Sequence, residues 1–298
     1  MITARRVTPV RALAAVLATV LATASVVSCS GPVDGTPVAR PSTVEGSSPV
    51  QPTSSPTAPV LGGATPRVGG CLRGNDYDEV PCDQPHEGEV TATDSLPGTL
   101  PATPDDATVR RAALPRCRQA AVEYLGSGDV DATRLRSWAF WPSARDWASG
   151  QRWLVCAVFE AGADDRPVGR TGSLRGALTS GFDTYQQCTA GSPSRDDRLV
   201  TVPCDQPHLA EAVPGVLTLG AAHESPPDAD QMTQSAQRHC AQAVTGYLGA
   251  ARSDVLVSWR LPSAASWSEG FSVAVCYVET ATAVKARLRG VGTNPLPS

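Results

Sequence analysis

The sequence predicts an α+β fold in two tandem, homologous, disulfide-bonded domains, each a small, mostly antiparallel sheet with one main helix. Three observations carry that expectation. The heptapeptide Val-Pro-Cys-Asp-Gln-Pro-His occurs at residues 80–86 and again at 202–208. Eight of the nine cysteines fall into two sets of four, Cys71, Cys82, Cys117 and Cys156 answering to Cys188, Cys204, Cys240 and Cys276. Strand-like and helix-like stretches then follow in the same order within each set.

The N-terminus reads as an address. Arg5, Arg6 and Arg11 make a positive n-region, and residues 12–27 form an apolar run too short to span ~30 Å of hydrocarbon, so residues 1–28 are expected to be a signal peptide. Val26-Val27-Ser28-Cys29 at its end resembles a bacterial lipobox, which implies diacylglyceryl transfer to the Cys29 thiol and cleavage just before it. Removing residues 1–28 takes away three arginines and no acid, moving the net charge from −4 to −7. Such an acidic chain gains no electrostatic attraction to an anionic membrane, so the lipid must hold it at the outer, extracytoplasmic face of the cell membrane. Residues 29–66 are rich in Pro, Ser and Thr and cannot bury enough apolar surface to offset ordering entropy. They read as a disordered tether, ~35 Å root-mean-square as a coil and up to ~120 Å in extended polyproline form.

The two domains are expected at residues 67–179 and 180–298, each of ordinary single-domain size. Within each, a short strand precedes the heptapeptide and a longer one follows it (GEVTAT and AEAVPGVLTL), ahead of a polar, Pro-rich loop. A helix comes next. It is clearest in the second domain, where Asp228 or Asp230 is the N-cap, Met232, Ala236, Cys240, Val244 and Leu248 keep helical spacing, and Gly249 is the stop. In the first domain Pro115 is expected to delay or kink it. The stretches SWAFWP and WLVCAVFE, and VLVSW and FSVAVCYVE, close each domain with two strands.

Four cysteines per domain in an exported chain predict disulfides, and the ninth, Cys29, stands where the lipobox needs it. Of the three pairings open to four cysteines, Cys71–Cys82 with Cys117–Cys156, and Cys188–Cys204 with Cys240–Cys276, are favoured. The short loop then joins neighbouring strands and the long one staples the helix to the last strand. The absence of any Cys-x-x-Cys argues against zinc and against thioredoxin-like redox work, and no cofactor is expected.

The candidate chemistry lies in the heptapeptide and the acid three residues beyond it: Asp83, His86 and Glu89, and again Asp205, His208 and Glu211. A functional reading makes each histidine and glutamate an acid–base pair, a pair of metal ligands or a recognition site. On a strand, however, residues three apart point to opposite faces. The favoured reading therefore has the aspartate and histidine bonded to turn backbone groups while the cysteine pins the turn. Trp138 and Trp147, matched to Trp259 and Trp267, read as core. Trp141 is matched only by Leu261, sits beside a proline, and is the best single candidate for an exposed contact such as stacking on a cell-wall sugar. The arginines of residues 164–175 read as a solvated linker. One lysine and a net charge of −4 exclude a nucleic-acid-binding arm.

The cysteine positions, the Val-Pro-Cys-x-x-Pro-His-x-x-Glu-Val pattern of residues 80–90, the helix cysteine and the closing Trp…Gly…Cys together resemble the septum formation family of actinobacterial exported and membrane-anchored proteins, in two tandem copies. The second copy departs slightly, with Leu209 after its histidine and Ala212 in place of Val90. The resemblance implies a role in division-septum or envelope biology and brings no catalytic residues with it. The expected function is that of a lipid-anchored binding module whose partner is an envelope or division protein or peptidoglycan, with an envelope hydrolase or ligand-processing lipoprotein as the alternative.

Overall fold

The structure, a computed structural model, describes residues 65–74 and 77–297. The expected signal peptide, Cys29 and all but the last two residues of the expected tether lie outside them. The fold is α+β, with two antiparallel sheets. The first half runs β1 (Cys71–Arg73), β2 (Asp78–Val80), β3 (Gly88–Ser95), α1 (Asp106–Leu125), a 3-10 turn (Gly128–Ala132), β4 (Leu135–Phe140), α2 (Ala144–Ala148) and β5 (Trp153–Glu160). Two four-residue helices, α3 (Ala177–Ser180) and α4 (Phe182–Tyr185), lead to the second half. There β6 (Cys188–Thr189), β7 (Thr201–Val202), β8 (His208–Ala212), β9 (Leu217–Thr218), α5 (Ala229–Leu248), β10 (Val255–Arg260), α6 (Ala264–Ser268) and β11 (Val273–Val284) follow. The first sheet is ordered β2-β1-β3-β5-β4; the second runs β7-β6-β8-β11-β10, with β9 added to β11. No helix of the described residues is long and apolar enough to cross a membrane.

The long helices form where their caps and buried stripes dictate. Asp228 accepts from the Gln231 N–H at 2.8 Å, and Asp105 does the same for Thr108 at 2.6 Å. Gly249 and Gly126 end the helices at φ +81° and +84°, a conformation only glycine adopts without strain. Contrary to expectation, Pro115 does not delay α1, which starts nine residues earlier at Asp106. The proline costs about 3 kcal/mol inside a helix. Val109, Ala113, Leu114 and Cys117 offset that cost by packing in one cluster with Ala139, Leu154 and Cys156 of the sheet. In the second half Cys240, Val244 and Leu248 pack on Cys276 and Val278 in the same manner.

Four disulfides staple these layers: Cys71–Cys82, Cys117–Cys156, Cys188–Cys204 and Cys240–Cys276, with Cα separations of 5.2, 4.9, 5.3 and 5.2 Å. In the chain-entropy picture loops of these lengths contribute about 3 kcal/mol for the short bridges and about 4 for the long ones. The long bridges tie each helix to an interior strand of its sheet, β5 or β11.

The halves are locked together. Arg110 makes a two-pronged pair with Glu269 at 2.9 Å, and Arg118 donates to the Gly270 carbonyl while stacking 3.7 Å above the Phe271 ring. Gly270 has φ +91°, and a Cβ there would lie 2.8 Å from the Pro115 Cα, so the contact admits only glycine. Asp129 on the 3-10 turn accepts from the Gly215 and Val216 N–H groups at 2.7 and 3.0 Å. Ala132, from the end of that turn, packs into a cluster with Ala210, Ala212, Val275 and Tyr277 of the second sheet.

One residue of register separates the halves. Trp138 pairs across the sheet with Ala157, whereas Trp259 pairs with Cys276 and Ser258 with Tyr277. Directly paired residues share a face, and Cys276 faces its helix. Trp259 therefore packs on the helix side, and Trp138 lies on the opposite face. The expected equivalence of the two tryptophans is overturned, because a slip of one residue reverses the face of a side chain.

Candidate functional site

The heptapeptide turns are built alike. Gln84 N–H bonds the Pro81 carbonyl at 2.9 Å and Gln206 N–H the Pro203 carbonyl at 3.0 Å, while the cysteine between them is bridged to β1 or β6. Asp83 and Asp205 stand exposed at the turn tips and, among the described residues, hold no turn backbone group, which corrects the expected role for them. The histidines turn inward and are fully buried. Nδ1 of His86 lies 2.8 Å from the Gln84 carbonyl and Nδ1 of His208 lies 2.7 Å from the Gln206 carbonyl, so each Nδ1 carries a proton.

Each glutamate is the hub of a sealed network. Glu211, 0% exposed, accepts from the Tyr247 hydroxyl at 2.5 Å, the Leu288 N–H at 2.9 Å and Nε2 of His208 at 2.9 Å. Glu89 accepts from the Tyr124 hydroxyl, the Ser173 hydroxyl at 2.5 Å and the Leu174 N–H at 2.5 Å. Arg175 and Arg289 lie over the rings of Tyr124 and Tyr247, 4.3 and 5.0 Å from their centroids. The Gly176 and Gly290 N–H groups bond the carbonyls of the same tyrosines. The motif acid thus joins its strand, the C-terminus of the long helix and a trailing Leu-Arg-Gly. Tyr-Leu-Gly at 124–126 and 247–249 and Leu-Arg-Gly at 174–176 and 288–290 recur in both halves of the sequence as marks of repetition, and the structure adds Tyr124, Leu174, Tyr247 and Leu288 to the site.

The expected opposite orientation of histidine and glutamate fails in the second half. His208 and Glu211 meet because β8 and β11 shift register between Glu279 and Val284, so the regular alternation of faces does not hold there. Because Nδ1 is spent on a carbonyl, the 2.9 Å contact between Nε2 and the carboxylate needs a second proton. Burial works against the charged imidazole, but the hydrogen bond and charge of Glu211 and the Gln206 carbonyl outweigh it and raise the His208 pKa above its ordinary value. In the first half the Ser173 hydroxyl occupies Glu89, and Nε2 of His86 is left buried without a partner among the described residues. Burial, then the bond to Glu89, pushes the Tyr124 hydroxyl up to about 12. Cys71, Cys82 and Glu89 cluster together, as do Cys188, His208 and Glu211, but each sulfur is in a disulfide and offers no thiolate to a metal.

Trp141, expected to be exposed, is partly buried against the helix-side core. The arginine-rich segment is likewise no solvated linker: Arg170 bridges to His86, and the Gly172 N–H bonds the Cys82 carbonyl at 2.6 Å. Trp147 and Trp267 are core, their indole N–H groups donating to the Pro101 and Glu224 carbonyls of the loops ahead of the helices.

Accessible aromatic surface lies on the face that Trp138 occupies. A cavity of about 440 Å³ opens there, lined by Leu72, Tyr77, Trp138, Phe140 and Phe159 together with Glu87 and Arg166. Trp138 stacks 5.4 Å from Phe140 and lies tilted 5.0 Å from Phe159, and Tyr77 meets Trp138 and Phe140 edge-on. Tyr77 has φ +54°, a strained backbone for a bulky residue. The corresponding face of the second sheet is filled. Its disulfide-closed hairpin is longer, its cysteines lying 16 rather than 11 positions apart in sequence. Ser192 and Ser194 of that hairpin hold Glu279, Arg260 donates to the Asp196 carbonyl, and Leu199 packs on the sheet beside Ala132.

A family model described as septum formation matches residues 68–276, more than half of the chain and part of both halves. No curated protein and no solved structure matches it. The chain belongs to the septum formation family.

Proposed function

We propose that this chain is an extracytoplasmic lipoprotein built from two tandem copies of one module, residues 67–179 and 180–298, that acts in envelope or division-septum biology by binding. The recurring heptapeptide, the shared strand order and the like-placed disulfides support the duplication. Family membership supports the envelope role. The observation that carries binding rather than catalysis is a contrast in access: the motif histidines and glutamates are buried in both halves, while an aromatic cavity stands open on the first sheet. A hydrolase needs its base within reach of substrate, which weighs against His86 and His208 in that role. The partner is an envelope or division protein or peptidoglycan that reaches this cavity.

The anchor is tested by fractionating cells that express the chain with Cys29→Ala. The substituted protein is expected in the medium, and the unsubstituted protein in the membrane fraction and open to protease added to intact cells. An unchanged membrane fraction for the Cys29→Ala chain contradicts the anchor.

A further inference from the structure

The aromatic cavity and the segment that leads into the fold match each other chemically. Tyr77, Trp138, Phe140 and Phe159 offer ring faces and edges, and Glu87 and Arg166 are the charged side chains among the lining. Flat aromatic walls with few polar groups suit proline rings, and the tyrosine hydroxyl and indole N–H can donate to the outward carbonyls of an extended polyproline segment.

Residues 46–64 carry no charge and hold Pro49-x-x-Pro52 and Pro56-x-x-Pro59. Three residues make one turn of a polyproline helix, so each such pair presents two proline rings along one edge. The chain enters the fold on the same side of the sheet order: Arg67 pairs with Glu79 at 3.1 Å, and Glu79 lies on β2 two residues after Tyr77. Six residues from Pro59 to Thr65 reach up to ~20 Å. The second half supplies a precedent, since the like face of its sheet is covered by a covalently attached segment, its own longer hairpin.

We propose that the aromatic cavity of the first half is the docking site of the chain's own proline-rich segment, residues 49–59, which a partner must displace. This rests on the reading of the cavity as a binding surface, and it adds an intramolecular occupant that makes the surface conditional. A segment joined to its site by a short link is present at an effective concentration of about 1 mM, enough to compete about tenfold against a free peptide of ~100 μM affinity.

The test uses a fluorescent peptide of residues 47–60 titrated into the full chain in mild detergent. Three forms are compared: unsubstituted, with Pro49, Pro52, Pro56 and Pro59 all replaced by alanine, and with Trp138→Ala added to that replacement. The proline-replaced chain is expected to bind the peptide about tenfold more tightly than the unsubstituted chain, and Trp138→Ala to abolish binding. Melting curves matched to the unsubstituted chain show that the replaced forms are folded; should Trp138→Ala fail that check, Trp138→Leu takes its place. Equal binding by the first two forms overturns the intramolecular occupant while leaving a binding cavity. No binding by the proline-replaced chain overturns the polyproline match, and the cavity is then tested with other ligands.

Discussion

Glu211 shows how a single buried residue turns a motif into architecture. Its carboxylate receives three donors from three parts of the chain, and bonds to a charged acceptor are each worth about 1.5–3 kcal/mol. The folded state raises the His208 pKa, so that residue's stabilisation is fully present below its unfolded value of about 6.5 and fades as pH climbs through the raised folded value. The difference in unfolding free energy between the unsubstituted chain and His208→Gln is therefore expected to be larger at pH 6 than at pH 8.5, as denaturant titrations would measure. A difference that is flat or grows with pH contradicts the ion pair. The bond of the motif histidine to turn backbone was legible in the sequence from the turn chemistry around it. The meeting of His208 with Glu211 was not, because it depends on a register irregularity that strand periodicity does not encode. Asp83 and Asp205 fit the chemistry of a turn, yet the Pro–Gln backbone bond closes each turn without them.

Among the elements, the strands after the heptapeptide, the two closing strands, the cap at Asp228 and the stop at Gly249 follow from patterns written locally in the chain. What the sequence concealed is relative register. Matching Trp138 to Trp259 preserves residue identity, but residues 142–156 align without a gap to residues 262–276, and that offset places Trp259 opposite Ala139 instead. The cavity follows from this one-residue difference together with a shorter hairpin. Pro115 illustrates the opposite balance, in which tertiary packing overrides a local preference. The helix that holds it is also the docking surface for Gly270. Gly270→Ala must take φ +91° and crowd Pro115, and is expected to lower stability by about 1–3 kcal/mol. Gly150→Ala, at φ +96° with open space around it, carries the same backbone strain without the clash and is expected to lose less. Paired thermal melts measure the difference, and equal losses contradict a tight contact between the halves at this point.

For the molecule as a whole, bridges and buried acids supply rigidity, and among the described residues an aromatic cavity opens on the outer face of the first sheet. The most direct test is proximity labelling on live, dividing cells, comparing a Trp138→Ala chain with a His86→Gln chain at matched abundance. Trp138→Ala is expected to lose the neighbours labelled by the unsubstituted protein while remaining folded, at some cost in stability from its lost ring contacts. His86→Gln should keep those neighbours despite any drop in stability. Neighbours lost through His86→Gln but retained through Trp138→Ala would place the working surface in the motif and contradict this account.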